Sequence, residues 1–255
     1  QVPMRRGCAL AGLGRLDEAQ QQFTQAAGLA GKFTYQRLVA FDRLTFDRIS
    51  AADVRVEPPV LALKRGDDSP CDYVTLISCN PPYVRKYGFP FIRSYATHAR
   101  ASTLLHVHVY DPDECIVAEA ARLMSERGVE RYVITTEASP FAAQAAQQRK
   151  AFYACGRLIH LPRWLAQYCC PILSLDVDFI VESDLSGLVA AAANADVGLN
   201  PRNPVDSPWL DIIANIIVAR PTPPALAYFS AVRNYALEYL RREPDAWLVD
   251  QAALY

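Results

Sequence analysis

An α/β fold, built on a mainly parallel sheet with helices on both faces, is predicted for this chain of 255 residues by three observations. Hydrophobic residues make up 51% against 21% charged, enough apolar surface to bury a substantial core. From about residue 70 onward, short apolar runs alternate with stretches of helical spacing, the rhythm of βαβ units. No apolar run approaches the roughly 18 residues that a membrane-spanning helix needs, so no membrane span is expected.

Residues 1–30 read as a helical hairpin. Cys8, Leu10, Ala11 and Leu13 form one apolar stretch, Gly14 breaks it, and Leu16, Ala19, Phe23, Ala26 and Ala27 resume helical spacing. The string Ala11 to Ala19, with Phe23 and Ala26-Ala27, resembles the centre and second helix of a tetratricopeptide repeat. One incomplete copy cannot bury its own face, so the resemblance implies a cap on the following domain or the end of an array, with helices open to a protein partner. An ordinary N-terminal hairpin fits the same residues. Thr34 to Ile49 continue as a helix with Leu38, Phe41 and Leu44 inward, completing a helical segment over residues 1–50. Residues 51–70, with Glu57-Pro58-Pro59 and the polar run Lys64 to Pro70, read as a linker.

Residues 71–255 form the α/β domain. Strands are expected at Tyr73 to Cys79, Leu104 to Tyr110, Arg131 to Thr135, Ile172 to Val181, Asp196 to Asn200 and Asp211 to Ala219. Helices are expected near Phe89 to His98, Pro112 to Arg127, Pro140 to Leu158, Asp184 to Ala193 and Ala225 to Arg241. In such sheets ligands bind beyond the carboxyl ends of the strands, which is where chemistry is to be sought.

Charge and cysteine content narrow the function classes. Lys and Arg number 26 against 27 Asp and Glu, leaving no basic field to draw the chain onto nucleic acid. Seven cysteines, an odd number without C-x-x-C spacing, speak against a disulfide framework or a zinc site and for a reducing, cytoplasmic setting, with Cys169 and Cys170 packing as small hydrophobes. Neither G-x-G-x-x-G nor a Walker sequence appears, so dinucleotide and P-loop chemistry lack their signatures.

The sharpest feature is the run Pro171 to Val181, which holds Asp176 and Asp178 two apart. On a strand both carboxylates project from one face while Leu175, Val177 and Phe179 take the other. Paired carboxylates at an apolar strand end are costly unless a cation or a hydrogen-bond network compensates them, and a hard divalent metal with oxygen ligands is the natural partner. D-x-D also occurs by chance in solvated turns. Leu175-Asp176-Val177-Asp178-Phe179-Ile180-Val181 with Asp184-Leu185 resembles the D-x-D segment of GT-A-fold glycosyltransferases of the glycogenin and lipopolysaccharide galactosyltransferase type.

That resemblance, spread over much of residues 73–255, implies a GT-A-like, Rossmann-type fold and transfer of a sugar from a nucleotide-sugar donor, with retention at the anomeric carbon, to an acceptor that is a glycan, lipid or protein. It implies Mn²⁺ or Mg²⁺, held by Asp178 and by Asp176, which also meets the donor ribose. It places Asn80 and Tyr83 on the base, Arg157 on the donor, Asn215 at the sugar pocket, and Asp250 and Gln251 under the donor sugar, Gln251 nearest the anomeric carbon. Ile216-Ile217 stand where those enzymes carry a small Ala-Gly pair.

The residues also support bland readings. Lys150, Tyr153 and Arg157 are spaced i, i+3 and i+7, so they share a helix face that suits phosphate or sugar hydroxyls, though a solvated basic stripe has the same spacing. Asn80 and Tyr83 fit a turn, and Asp250 fits a helix cap. His106 and His108 share a strand face, but with no third ligand nearby in sequence they read as hydrogen-bonded core histidines. Trp209 and Trp247 read as core or as walls of an acceptor cleft. Two rival functions remain: a catalytically silent scaffold whose repeat helices bind partners, and a D-x-D phosphatase, which normally places its nucleophile strand first.

Overall fold

The computed structural model describes residues 2–30, 43–52, 54–67, 69–141, 146–202, 212–242 and 248–254. Leu38, Phe41, Trp209 and Trp247, and with them most of the helix expected from Thr34, lie outside these residues. The chain opens with α1 (Val2–Gly12) and α2 (Leu16–Ala30), the expected hairpin, which turns at Gly14 with φ +70°. Its helices touch closely: a Cβ on Gly7 would fall 2.6 Å from the Phe23 ring. α3 (Arg43–Ala51) follows.

Among the described residues seven strands form one sheet in the order β1-β4-β3-β2-β5-β7-β6, from β1 (Val60–Arg65), β2 (Val74–Cys79), β3 (Leu104–Tyr110), β4 (Tyr132–Glu137), β5 (Ile172–Leu175), β6 (Val197–Pro201) and β7 (Ile212–Ala219). β4, β3, β2 and β5 run parallel at the centre, while β1, β7 and β6 pair antiparallel toward the edges. β1 lies inside the stretch read as a linker. All six of its residues are exposed, so main-chain pairing with β4, and not burial, makes it a strand; the bulge between Leu61 and Leu63 and the charges of Lys64 and Arg65 blunt this open edge.

Between the strands come α4 (Pro81–Tyr83), which passes through a π turn at Val84–Gly88 into α5 (Phe89–His98), then α6 (Ile116–Glu126), α7 (Ala146–Tyr168), α8 (Ser186–Ala191), α9 (Pro223–Arg242) and α10 (Val249–Leu254). α5 and α6 cover one sheet face, where Phe91, Tyr95, Ile116 and Met124 meet Ile77, Leu105, Val107, Ile134 and Leu173. α7 and α9 cover the other, where Leu158, Leu161, Trp164 and Phe229 meet Val74, Leu76, Leu104, Val133 and Ile172. Each fully buried side chain of this size contributes about 1.5–3 kcal/mol, so the two layers fix the fold. The expected mainly parallel α/β architecture with helices on both faces is the one observed.

Two elements differ from expectation in a way that matters for the site. α7 was expected over Pro140 to Leu158 but runs to Tyr168 through Pro162, residues 142–145 lying outside the described ones. A proline interior to a helix costs about 3 kcal/mol, and burial of Leu158, Leu161, Trp164 and Leu165 against the sheet outweighs it. The strand expected over Ile172 to Val181 ends at Leu175; Asp176 follows it directly and Val177-Asp178 turn away.

The N-terminal helices pack against the α/β layer. Leu10, Ala19, Phe23 and Ile49 share one apolar cluster with Phe152, Ile159, Tyr239 and Leu240 of α7 and α9. The Asn234 side-chain amide donates to the carbonyls of Ile49 and Ala52 at 2.9 and 2.8 Å.

Candidate active site

The strand order reverses between β2 and β5: β3 and β4 lie to one side of β2, β5 and β7 to the other. A crevice opens at such a switch point, outside the carboxyl ends of the strands. Asn80 follows β2 and Asp176 follows β5, so both of these candidate residues stand at the mouth of this crevice.

Arg157 of α7 is 5% exposed and ties the floor together. Its Nη1 donates to the Leu175 carbonyl at 2.9 Å, and its Nη2 donates to the Ala214 carbonyl and pairs with Asp176 Oδ1 at 2.5 Å. The Asp176 amide donates to the Asn215 carbonyl at 2.9 Å, and the Asn200 amide group donates to Asn215 Oδ1 at 2.9 Å. Asp176, Arg157 and Asn215 therefore form one connected unit across β5, β7 and α7. The Asp176 side chain is 42% exposed and Asp178 stands on the surface of the next turn.

Asp250 joins this group from α10. Burial pushes its carboxyl up, while the nearby charge of Arg157 pulls it down and that of Asp176 pushes it up. Leu248, just before α10, has φ +62°, a left-handed conformation that costs a bulky residue about 1–2 kcal/mol and that sets the direction in which Asp250 and Gln251 enter. Gln251 Oε1 and Arg157 Nε are buried with no hydrogen-bond partner among the described residues. Unpaired buried polar atoms of this kind are uncommon and suit a polar ligand.

The remaining predicted residues are spread around this unit. The Tyr153 hydroxyl donates to Asp111 Oδ2 at 2.5 Å while its ring stacks on Tyr110 with centroids 5.3 Å apart. Lys150 is exposed, so the series Lys150, Tyr153, Arg157 runs from solvent into the interior along α7. Asn80 precedes α4, its carbonyl accepting from the Val84 amide at 2.9 Å, and Tyr83 is 53% exposed with its ring 5.1 Å from that of Tyr87. A cleft of about 250 Å³, lined by Tyr95, Arg100, Thr103, Val129 and Arg131, lies at the opposite end of the sheet, before β3 and β4, remote from these groups.

No protein-family model matches the chain, and no curated protein is similar to it in sequence. Among solved structures it is similar to the galactosyltransferase LgtC, captured with donor and acceptor sugar analogues, at a TM-score of 0.54 and 15% identity over 71% of this chain and 69% of that one. Mouse xyloside xylosyltransferase 1 matches 71% of this chain with 80% of its own, at 12% identity and a TM-score of 0.46. The glycosyltransferase GlyE of Streptococcus pneumoniae TIGR4 matches 73% of this chain with 43% of its own, at 14% identity and a TM-score of 0.47. The fold is GT-A-like. At these identities the likeness is one of fold.

Within the GT-A-like frame the structure adds residues that the sequence reading did not assemble. His108 of β3 meets Glu137 at the end of β4 and His160 of α7, the three ligand atoms lying within 4.8 Å of one another. His108 thus has two partners, Glu137 and His160, supplied from 29 and 52 residues further along the chain, while His106 is a hydrogen-bonded core histidine held by Thr135 and Tyr168. Burial would raise the Glu137 carboxyl, but the two imidazoles hold it down at about 2. His160 sits three residues after Arg157 on α7, and that i, i+3 spacing was the one signal able to reveal it.

Proposed function

We propose that the chain is a glycosyltransferase that moves a sugar from a nucleotide-diphosphate-sugar donor to an acceptor. The observation that carries this reading is the joining of Asp176, Arg157 and Asn215 at the switch-point crevice of a GT-A-like sheet, with Asp250 near enough to feel the charges of Arg157 and Asp176. LgtC, which shares this fold, was captured with sugar analogues of donor and acceptor.

In this reading Asp176 and Asp178 hold Mn²⁺ or Mg²⁺; a half-buried carboxylate at the strand end and an exposed one on the turn after it are hard oxygen donors of the kind such ions take. The ion, when bound, neutralises charge on the diphosphate leaving group. Arg157 is a positioning residue: with its Nη atoms held by two main-chain carbonyls, it fixes the Asp176 carboxylate in place. Asn80 and Tyr83 take the base, Lys150 and Tyr153 line the approach of the phosphates, and Asn215 borders the sugar. Asp250 meets sugar hydroxyls, and the unpaired Gln251 Oε1 takes the reacting end of the sugar. Retention at the anomeric carbon follows the GT-A enzymes that the sequence resembles. The phosphatase alternative is not favoured, because the D-x-D strand is the fifth in the sheet and not the first.

The test is nucleoside-diphosphate binding by calorimetry with and without Mn²⁺, for the wild type and Asp178→Asn. The near-isosteric variant should fold and lose metal-dependent binding; equal Mn²⁺-dependent affinity in both proteins removes the assignment. Turnover of a sugar nucleotide without phosphomonoester hydrolysis separates transferase from phosphatase, and neither binding nor turnover in a folded wild type leaves the scaffold.

A further inference from the structure

We propose that His108 Nε2, His160 Nε2 and Glu137 Oε2 form a second, buried metal site, of the class that takes Zn²⁺. It differs in place and chemistry from the carboxylates after β5. The side chains of His108 and His160 are 0% and 1% exposed, and that of Glu137 is 16% exposed. His160 Nε2 lies 2.8 Å and His108 Nε2 3.4 Å from the same oxygen, Glu137 Oε2. Only the first of these is a hydrogen bond: His108 Nε2 is buried with no hydrogen-bond partner among the described residues, within 4.8 Å of the other two candidate ligand atoms. A buried nitrogen left unpaired is costly, and a cation at this point would satisfy it together with both neighbours.

The donor set selects the ion. Two imidazoles and one carboxylate suit Zn²⁺ and its transition-metal neighbours, whereas Mg²⁺ and Ca²⁺ prefer oxygen donors alone. Zinc bonds of about 2.0–2.2 Å at tetrahedral angles put ligand atoms about 3.4 Å apart, so atoms already within 4.8 Å need only small rotations to close on it. Three protein ligands leave one tetrahedral position to water.

The outer contacts are those of a ligating histidine, whose second ring nitrogen is normally held by a hydrogen-bond partner. His108 Nδ1 lies 2.8 Å from the Thr135 hydroxyl, which also meets His106 Nε2 at 2.8 Å, and Tyr168 closes the chain at 3.0 Å from His106 Nδ1. The ring faces of His108 and His160 are further set by Trp164, with centroids 5.3 and 5.4 Å away. An ion here would clamp β3, β4 and α7 one helical turn from Arg157, and so hold the helix that positions Asp176.

The experiment strips the 255-residue chain with a chelator, titrates Zn²⁺ back, and reads metal content and melting temperature; Co²⁺ serves as a spectroscopic substitute. One Zn²⁺ per chain, a rise in melting temperature and the visible bands of a tetrahedral Co²⁺ centre are expected. Loss of an outer partner typically weakens a metal site 10–100-fold, so loss of a ligand in His160→Gln should weaken Zn²⁺ binding by at least about 100-fold, while Asp178→Asn keeps it. A wild type that takes up no Zn²⁺ and shows no tetrahedral Co²⁺ bands overturns the site, as does wild-type zinc affinity in a folded His160→Gln. If His160→Gln does not fold, Glu137→Gln is read in the same way beside the wild-type Co²⁺ spectrum. Nucleotide binding with Mn²⁺ but no zinc uptake would reject this site and leave the proposed transferase standing.

Discussion

Arg157 reaches three oxygens at the neighbouring strands β5 and β7, and only a planar guanidinium spans them together. The sequence placed it on a helix face that suits a bound phosphate or sugar; the structure buries it under that site. Its replacement is therefore a structural event as well as a binding one. Arg157→Lys should leave at least one buried carbonyl unpaired and cost about 1–3 kcal/mol, a fall in melting temperature of roughly 2–4 °C for each kcal/mol in a chain of this size. Nucleotide affinity should fall with it, because Asp176 loses its anchor. The control is Arg122→Ala on α6, whose side chain is 74% exposed and 3.8 Å from Glu126; scanning calorimetry should find it within about 0.5 kcal/mol of the wild type. Equal melting curves for both variants would mean that the buried fork contributes nothing.

At the scale of elements, α7 organises the crevice. Tyr153, Arg157 and His160 meet groups at the ends of β3, β5 and β4 respectively, and Gly156 between them lets the helix approach Tyr110. A Cβ on Gly156 would lie 2.3 Å from the Tyr110 hydroxyl oxygen, and Tyr110 is fully buried and has no room to swing aside. Gly156→Ala should destabilise by about 1–3 kcal/mol through overpacking, read as a lower denaturation midpoint in urea. Gly187→Ala on α8 meets nothing within 4 Å and should be neutral or stabilising by up to about 1 kcal/mol. Strands β2 and β3 were legible within a residue because their apolar runs are buried on both faces, while β1 was not, since an exposed edge strand has no burial pattern to read.

For the whole molecule, the contact between the N-terminal hairpin and the α/β layer decides how far residues 1–50 stand apart from the chemistry. Phe23 is 1% exposed in a cluster that includes α7 and α9. Phe23→Ala should cost about 3 kcal/mol, and if hairpin and sheet unfold together, one calorimetric transition should move down as a unit. A low-temperature transition splitting off while nucleotide binding persists would mark the hairpin as a separate unit. The hairpin itself was legible from its helical spacing and Gly14; its partner was not, because α7 and α9 lie more than 100 residues further along the chain.

Composition and periodicity determined the α/β class and the two faces of helices, and singled out Asp176 and Asp178 as candidates, since alternating apolar runs and a carboxylate pair are local patterns. Local patterns do not say where a strand stops. Hydrogen bonding to β7 ends at Asp176, whose amide still reaches Asn215, and so the chain turns there and leaves Asp178 in the open. Nor does local pattern join residues far apart in sequence. Arg157 with Asp176 and Asp250, and His108 with Glu137 and His160, came together only through the parallel order of the strands and the reach of one helix across their carboxyl ends. The cost of burying charged and polar groups is what holds the pairs Arg157 with Asp176 and His160 with Glu137, each of which satisfies a group that the apolar core would otherwise strand.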